Sequence, residues 1–498
     1  MADVAMEDAP VIAANGAADG DFAAIETEVV PISPSQLGHF EETLRTESSL
    51  PLEDWTLELS PNSLDAQNLH TAARLLREST IPVAFPTETV YGLGADATRS
   101  EAVLGIYKAK QRPSDNPLIV HIASLQQLRC LLLGSRSATA PSLYEPLTDP
   151  IPEIYQPLIK RFWPGPLTII LPAPENSPLA PETTAGLQTF GARMPRNLLA
   201  LALIKLADRP IAAPSANAST KPSPTAAEHV LHDLGGRIEL ILDGGPCPVG
   251  VESTVVDGLS VPPVILRPGG VSIGDIRSVR GWEKVEVAYE DKALKDGNAE
   301  GPRAPGMKYR HYSPKARVVL FDHGKEYSVE DLKQAAGERK RVGMVRTKRW
   351  RRVDDVGPKE EEEGFKAPLS GKDMSMAAPY QQAYMENMKA GLAEMAKTGA
   401  GQMNRSPLEK MLAEQSDYQA KTINEIGVKV EGESISILDI GIGPGTSDIA
   451  RGLFSALRDL DRKDLDTIIV EGIDGNDGDD ISAAVMNRLR KAAEVNVS

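Results

Sequence analysis

The chain has 498 residues, 41% of them hydrophobic and 25% charged, and a net charge of −16. That length accommodates two or three domains with a sizeable core in each, and the composition is that of a globular protein. The acidic balance excludes bulk adhesion to nucleic acid or an anionic membrane. It leaves room for a local basic cleft, because binding follows the local field and not the sum.

Cys130 and Cys247 are far apart and have no metal-ligand spacing, which argues against a disulfide framework or a zinc site and for a reducing compartment. No run reaches the ~18 apolar residues of a membrane span. The first basic residue is Arg45, and acidic residues recur before it, so neither a secretory signal nor a transit peptide is indicated. A cytoplasmic protein is expected, with a minor mitochondrial pool left open.

Residues 1–55 are rich in Ala, Asp, Glu and Gly and have little periodicity, which reads as a disordered acidic tail. Order is expected from about Trp55. Asn62 or Ser63 can cap a helix in which Leu69, Ala72, Ala73 and Leu76 fall at helical spacing. A strand, Ile81 to Phe85, is then broken by Pro86. The loop Thr87 to Gly94 that follows carries hydroxyls, the single carboxylate of Glu88, and two glycines. Gly92 and Gly94 read as tight turns beside a ligand, and Glu88 fits a metal-side role or a structural hydrogen bond equally well. A helix from Ser100 runs into Lys110-Gln-Arg112-Pro113. The proline biases Arg112 away from helical geometry, and in an extended segment the two cations would share a side.

The same construction then recurs. His121 lies in the strand-like run Leu118 to Ile122, and Trp163-Pro-Gly-Pro166 leads into Leu167 to Leu171. Arg193 stands alone in an apolar setting after Gly191. Ile211 to Ala213 ends in Pro214-Ser215-Ala216-Asn217, and Glu239 to Leu242 ends in Asp243-Gly-Gly245. Gly250-Val-Glu-Ser-Thr254 precedes a strand, and Val264 to Leu266 ends in Arg267-Pro-Gly-Gly270. Half a dozen short strands ending in loops of Pro, Gly, hydroxyls and single cations point to one shared cleft. Its inventory is Lys110, Arg112, Arg193, Arg267, His121, Thr87, Thr189, Ser215, Ser223, Ser253, Asn116 and Asn217. Cations on rigid strand ends, with no nucleophile–base pair, suit an anionic ligand and a transfer reaction driven by positioning and charge neutralisation. No Walker motif is present in this part of the chain.

Residues 56–283 form the first domain in this reading. Residues 284–315 read as a linker folding over the active site, because its end, Ala304-Pro-Gly-Met-Lys-Tyr-Arg-His-Tyr312, carries aromatics and cations that a spacer does not need. Residues 316–498 alternate strands and helices, which implies a smaller Rossmann-like α/β domain, with a charged, Met-rich insertion at about 350–420. Within it, Ile437-Leu-Asp-Ile-Gly441-Ile-Gly-Pro-Gly445, with Glu471 ending a later strand, has the look of an S-adenosylmethionine cradle. Fewer than 60 residues follow Gly441, too few for that fold.

Lys110-x-Arg112 with Ser215-x-Asn217, the Phe85 to Gly94 stretch, Trp163-Pro-Gly-Pro-Leu167, Gly250-Val-Glu-Ser-Thr254 and Leu266-Arg-Pro-Gly269 together resemble the YrdC-like threonylcarbamoyl-AMP synthases. The 304–312 linker is similar to that of the long two-domain form found in archaea, many bacteria and fungi. The resemblance implies a YrdC-like twisted mixed open sheet with helices, and a nucleotidyltransferase. The reaction it implies is L-threonine, bicarbonate and ATP to threonylcarbamoyl-adenylate and pyrophosphate, with Mg2+ accompanying the ATP and no protein metal ligands assigned. The product would pass to a threonylcarbamoyl transferase complex that modifies transfer RNA beside the anticodon. By matching position, Thr87, His121, Arg193, Ala213 and Ser253 would hold threonine. Lys110, Ser114, Thr189, Ser215, Ser223, Arg267 and Tyr312 would hold the nucleotide, with Asn116 and Asn217 in support and Lys110 and Arg112 stabilising charge on the phosphates. Three other readings stay open at this point: a YrdC-like module that binds transfer RNA or double-stranded RNA, a carbamoyltransferase, and the methyltransferase.

Overall fold

The computed structural model describes residues 25–42, 50, 52–134, 149–288, 312–352, 422–430, 433–475 and 481–498. The strands begin with β1 (Glu28–Pro31), β2 (Gly38–Glu42), β3 (Trp55–Leu59), β4 (Val83–Phe85), β5 (Gly92–Asp96) and β6 (Ile119–His121). Next come β7 (Leu167–Pro172), β8 (Thr189–Arg193), β9 (Ile211–Ala212), β10 (Leu240–Asp243), β11 (Thr254–Asp257), β12 (Val264–Arg267) and β13 (Glu286–Val287). All but β2 and β3, which form an antiparallel ribbon, join one mixed sheet in the order β1-β10-β4-β5-β9-β6-β8-β7-β11-β12-β13.

The strands are short and apolar, and most are buried along their length, as strands covered by helices on both faces should be. Ser63 caps the helix Leu64–Glu78, its hydroxyl accepting from the Ala66 amide. That helix packs against Leu198–Ala207, which is apolar all round and buried. Register then fixes the chemistry. His121 and Arg193 are paired at the parallel ends of β6 and β8, and Ile211 of the antiparallel β9 lies against His121. Gly92 bridges to Ser215, which brings the loop after β4 to the loop after β9.

Two expectations are corrected. The segment 25–42 is ordered, although its composition suggested a disordered tail: β1 runs parallel to β10, Ile32 donates its amide to Asp243 O, and Ile32 and Leu37 are wholly buried. Its partner lies about 210 residues away, so local composition could not reveal the pairing. Gly92 and Gly94 do not make tight turns. They lie within β5, where a side chain at Gly94 would meet the Phe85 ring at 2.6 Å. Phe85 needs the room, and the glycines supply it.

The second domain carries β14 (Arg317–Phe321), β15 (Arg341–Arg346), β16 (Asn424–Val430), β17 (Glu433–Gly441), β18 (Thr467–Glu471) and β19 (Val495–Val497) in the order β16-β17-β15-β18-β14-β19. The sheet is parallel except for β16, as a Rossmann-like unit requires. The glycine run after β17 is a packing turn. A side chain at Gly443 would strike Thr347 O at 2.1 Å, and Gly445 is the N-cap of the helix Thr446–Asp461. Glu471 is not placed to take a ribose: its carboxylate accepts the backbone amides of Thr347, Arg349 and Trp350 at 2.5–3.1 Å. Most of the linker (residues 289–311) and of the Met-rich insertion (residues 353–421) lies outside the described residues.

The two domains meet over polar and apolar contacts. Arg458 spans to the Asp233 carboxylate at 2.8 Å and to Pro222 O, Arg451 donates to Pro248 O, and the hydroxyls of Thr225 and Ser455 are 2.9 Å apart. Gly250, at φ +79°, lies so close to the Thr446–Asp461 helix that a side chain there would meet Arg451 Cα at 2.4 Å. Among the described residues, no helix is long and apolar enough to cross a membrane.

A Leu37→Ala substitution tests whether the segment before β3 belongs to the core. It should lower stability by about 2–5 kcal/mol, the usual cost of a large-to-small change at a buried site. Urea unfolding would show this as a lower midpoint with an unchanged slope, whereas an unaltered midpoint would make the segment peripheral.

Candidate active site

One narrow cleft is lined by Thr87, Thr89, Val90, Gly92, Arg112, Ile119, His121, Arg193, Ala213, Pro214, Ser215, Glu252, Ser253, Arg267 and Tyr312. Nine of the residues singled out in the sequence therefore converge: Thr87, Arg112, His121, Arg193, Ala213, Ser215, Ser253, Arg267 and Tyr312. The cleft they line is narrow, with about 50 Å3 of free space.

The walls are built by short polar contacts. Thr87 Oγ1 donates to Val90 O at 2.7 Å and accepts from the Thr89 and Val90 amides, which folds the loop after β4 onto itself. Arg193 donates from Nε to Gly165 O and from Nη1 to Thr89 Oγ1. Its Nη2 stands 2.6 Å from Glu88 Oε1, and both side chains are only 4% exposed. The contact is an ion pair without hydrogen-bond alignment, and Glu88 Oε2 has no hydrogen-bond partner among the described residues. Glu88 thus serves to hold Arg193. Nε and Nη1 each donate one hydrogen bond and Nη2 makes none, so at least one N–H on each of Nη1 and Nη2 is unused among the described residues.

Arg267 donates from Nε and Nη2 to Ser253 O, and from Nη2 to Ser253 Oγ at 3.1 Å. Ser253 Oγ also meets Thr168 Oγ1 at 2.7 Å. Burial lowers the Arg267 pKa to about 10. His121 is buried, with Nδ1 3.1 Å from Ile119 O, and burial together with Arg193 lowers its pKa to about 3. It is a neutral imidazole at any physiological pH.

Lys110 departs from expectation. It ends the helix Ser100–Lys110, and Gln111, at φ +51°, turns the chain, so the two cations do not share an extended segment. Arg112 reaches the cleft, whereas Lys110 lies beneath it, with Nζ donating to Ser215 O at 2.5 Å and Asn217 O at 2.6 Å. Burial, then Arg112, pushes the Lys110 pKa well below its ordinary value. The ammonium has a third N–H beyond these two.

The remaining candidates lie around the cleft and not in its lining. Ser223 donates to Glu252 Oε1 at 2.6 Å and so touches the lining indirectly. Asn217 is held by Nδ2 donating to Ala218 O and Lys221 O, and its Oδ1, like that of Asn116, is buried without a partner among the described residues. Ser114 is exposed on the loop after Arg112, and Thr189 stands at the opposite end of β8 from Arg193. Sequence reasoning missed Glu252, although it lies inside the quoted Gly250 to Thr254 motif. Burial pushes its carboxyl up, but Arg488, Arg267 and the Ser223 hydroxyl outweigh that and hold it at about 2. Behind Glu88 a wider cavity of about 430 Å3 is bordered by Phe162, Pro164, Arg196 and Pro248, but it contains none of the assigned ligand-binding residues.

A family model described as telomere recombination matches residues 75–269, and one described as the threonylcarbamoyl-AMP synthase C-terminal domain matches residues 271–494. A threonylcarbamoyl-AMP synthase of Schizosaccharomyces pombe is 41% identical over 485 residues, covering 95% of this chain and 98% of the relative. The chain belongs to the threonylcarbamoyl-AMP synthase family. Another synthase, from Pyrococcus abyssi, is 38% identical over 86% of this chain and 95% of its own length. A Pyrococcus abyssi structure solved in complex with L-threonine aligns over 95% of this chain and all of its own, with a TM-score of 0.61 and 33% identity. The synthase fold and its two-domain form are therefore shared along nearly the whole chain.

If Glu88 holds Arg193, Glu88→Gln should cost about 3–5 kcal/mol by leaving a buried guanidinium unpaired. It should also raise the KM for threonine while that for ATP stays within about twofold, because only the guanidinium fork is disturbed. Equal changes in both constants would refute this role. With the His121 pKa near 3, the pH–rate profile between pH 5 and 8 should show no His121 limb, and His121→Asn should leave the shape of that profile unchanged.

Proposed function

We propose that this chain catalyses the family reaction: L-threonine, bicarbonate and ATP give threonylcarbamoyl-adenylate and pyrophosphate. One observation carries the reading. A preorganised guanidinium, Arg193, shares a narrow cleft with a second cationic group, Arg112 and Arg267, which is what an amino-acid carboxylate beside a nucleoside triphosphate requires. The L-threonine bound in the Pyrococcus abyssi relative supports the first half of that assignment.

In this reading Arg193 holds the threonine carboxylate with its unused N–H groups, beside Thr87, neutral His121, Ala213 and Ser253. The neutral imidazole of His121 leaves the amine's protonation to the surrounding cations, whose like charge disfavours the ammonium form. The ammonium gives up one proton, bicarbonate takes up one as it releases CO2 and water, and the amine nitrogen adds to the CO2 and loses a second proton, leaving a carbamate. A carbamate oxygen then bonds to the α-phosphorus as the bond to the pyrophosphate oxygen breaks. Arg112 and Arg267 neutralise charge spread over the phosphates, and Tyr312 covers the nucleotide, with Ser114, Thr189, Ser215 and Ser223 around it. Lys110 fixes the Ser215–Asn217 loop through two carbonyls and turns its third N–H to the phosphates.

Among the described residues no group of three or more His, Cys, Asp or Glu side chains is arranged to hold a metal. Magnesium in this reading arrives on the triphosphate and supplies charge neutralisation to the leaving pyrophosphate. The product is a mixed anhydride, whose natural consumer is a transferase complex delivering threonylcarbamoyl to transfer RNA beside the anticodon.

Mass spectrometry of purified protein with threonine, bicarbonate and magnesium-ATP should detect threonylcarbamoyl-adenylate, dependent on all three substrates. Lys110→Ala should abolish its formation while the thermal transition remains cooperative. Product without threonine, or a Lys110→Ala enzyme at full rate, would overturn the reading.

A further inference from the structure

The helix Ile481–Ala492 of the C-terminal domain sends one charged side chain into the catalytic domain. Arg488 is fully buried there. Its Nε donates to Glu252 Oε2 at 3.0 Å, its Nη1 donates to Pro268 O at 2.5 Å, and its guanidinium carbon lies 5.8 Å from the centre of the Tyr312 ring. Each of these contacts bears on the nucleotide half of the cleft. The other oxygen of Glu252 accepts from Ser223, Pro268 follows Arg267, and Tyr312 stacks on Phe454 of the same C-terminal domain with ring centres 5.2 Å apart. None of them reaches Thr87, His121, Arg193 or Ala213; of the threonine-side residues only Ser253, next to Glu252 and hydrogen-bonded by Arg267, adjoins them.

Docking two domains does not need such a residue. Taking a guanidinium out of water is costly even when it is paired, and well-packed apolar side chains hold an interface at least as well as a buried ion pair. Arg458 and Arg451 also tie the domains together already. A planar fork does bring something an apolar side chain cannot: it fixes a carboxylate and a carbonyl from two different loops in one plane.

We propose that Arg488 is a positioning residue of the nucleotide site, supplied by the C-terminal domain: it fixes Glu252 and Pro268, and through them Ser223 and Arg267, in their binding geometry. The docked C-terminal domain is thereby part of the nucleotide site. The proposal rests on the nucleotide assignment of Ser223, Arg267 and Tyr312 given above.

The test uses the full chain and reads binding directly, by calorimetry with α,β-methylene-ATP and, separately, with threonine. Arg488→Met keeps the volume and removes the fork; it should weaken the nucleotide analogue by about 10- to 100-fold, the range for one charge-assisted hydrogen bond, and change threonine affinity by less than about threefold. Arg488→Lys should recover part of the loss. Glu252→Gln should also weaken the analogue, and the double variant should bind no worse than the weaker single variant, because the two side chains act as one unit. Arg451→Met, which loosens the same interface away from the cleft, should leave both affinities within about twofold.

Unchanged analogue affinity in Arg488→Met, an equal loss for both ligands, or the same loss in Arg451→Met would each overturn the proposal. If the wild-type protein fails to bind the analogue, the nucleotide assignment falls. If it binds the analogue but forms no adenylate, the activity reading falls while the Arg488 comparison remains valid.

Discussion

Lys110, Arg193, Arg267 and Arg488 lie almost wholly out of water, and the rest of the cleft is arranged around keeping them charged there. Removing such groups from solvent opposes their ionised forms, and the downward displacement of Lys110 and Arg267 records that opposition. Two kinds of partner answer it. Arg193 and Arg488 meet carboxylates, Glu88 and Glu252. Lys110 and Arg267 are held mainly by carbonyl oxygens of Ser215, Asn217 and Ser253. Carbonyls orient a cation without cancelling it, so the region around Lys110, Arg112 and Arg267 keeps positive charge that an anionic ligand can satisfy. Where Glu88 meets Arg193, by contrast, the charge is already matched and the guanidinium acts more through direction than through field. In the proposed assignment, one half of the cleft recognises a single carboxylate by geometry, and the other attracts several phosphate charges.

Strand register makes this arrangement possible. His121 and Arg193 are neighbours because β6 and β8 run parallel, and Ser215 reaches the loop after β4 because β9 runs against both β5 and β6. Backbone carbonyls freed at strand ends are then available to bind side-chain cations, which is why the cleft lies in loops and not on the face of the sheet. The C-terminal domain enters at the same edge. Its contacts through Arg458, Arg451 and Gly250 dock it, and Arg488 and Phe454 carry that docking to Glu252 and Tyr312.

Much of this was legible in the sequence because the chemistry sits at local punctuation. Pro86 marks the end of β4, and the cations Arg193 and Arg267 stand out beside apolar runs and Pro/Gly turns. Features that depend on distant partners were not legible. The Glu28–Pro31 strand lies in an acidic, Ala-rich stretch, and its sheet partner is β10, far along the chain. Glu88 could not be assigned until Arg193 was seen beside it. The glycine run at Gly441 to Gly445 has the look of an S-adenosylmethionine cradle, but the short length of chain after it already favours a packing turn; Thr347 takes the room it makes, and three backbone amides occupy Glu471. Arg488 sits in a charged-looking Asn-Arg-Leu-Arg-Lys run, yet one signal was present. It falls four residues from both Ala484 and Ala492, on the buried stripe of its helix, where an arginine requires an explanation.

Burial of the cations also bears on the fate of the product. A carbamic–phosphoric mixed anhydride is attacked by water, so a site that makes one benefits from excluding solvent while it is held. The cleft is narrow, and the buried Tyr312 is part of its lining. A cationic site open to solvent would bind triphosphate at less cost in desolvation but would leave the anhydride wet. In the proposed assignment, the loss of hydration at Lys110, Arg193 and Arg267 and the protection of the adenylate arise from the same closure. Tyr312 rests on Phe454 and under Arg488, so in that assignment the closure depends on the C-terminal domain, and a catalytic domain parted from it loses those contacts along with the carboxylate that Arg488 holds.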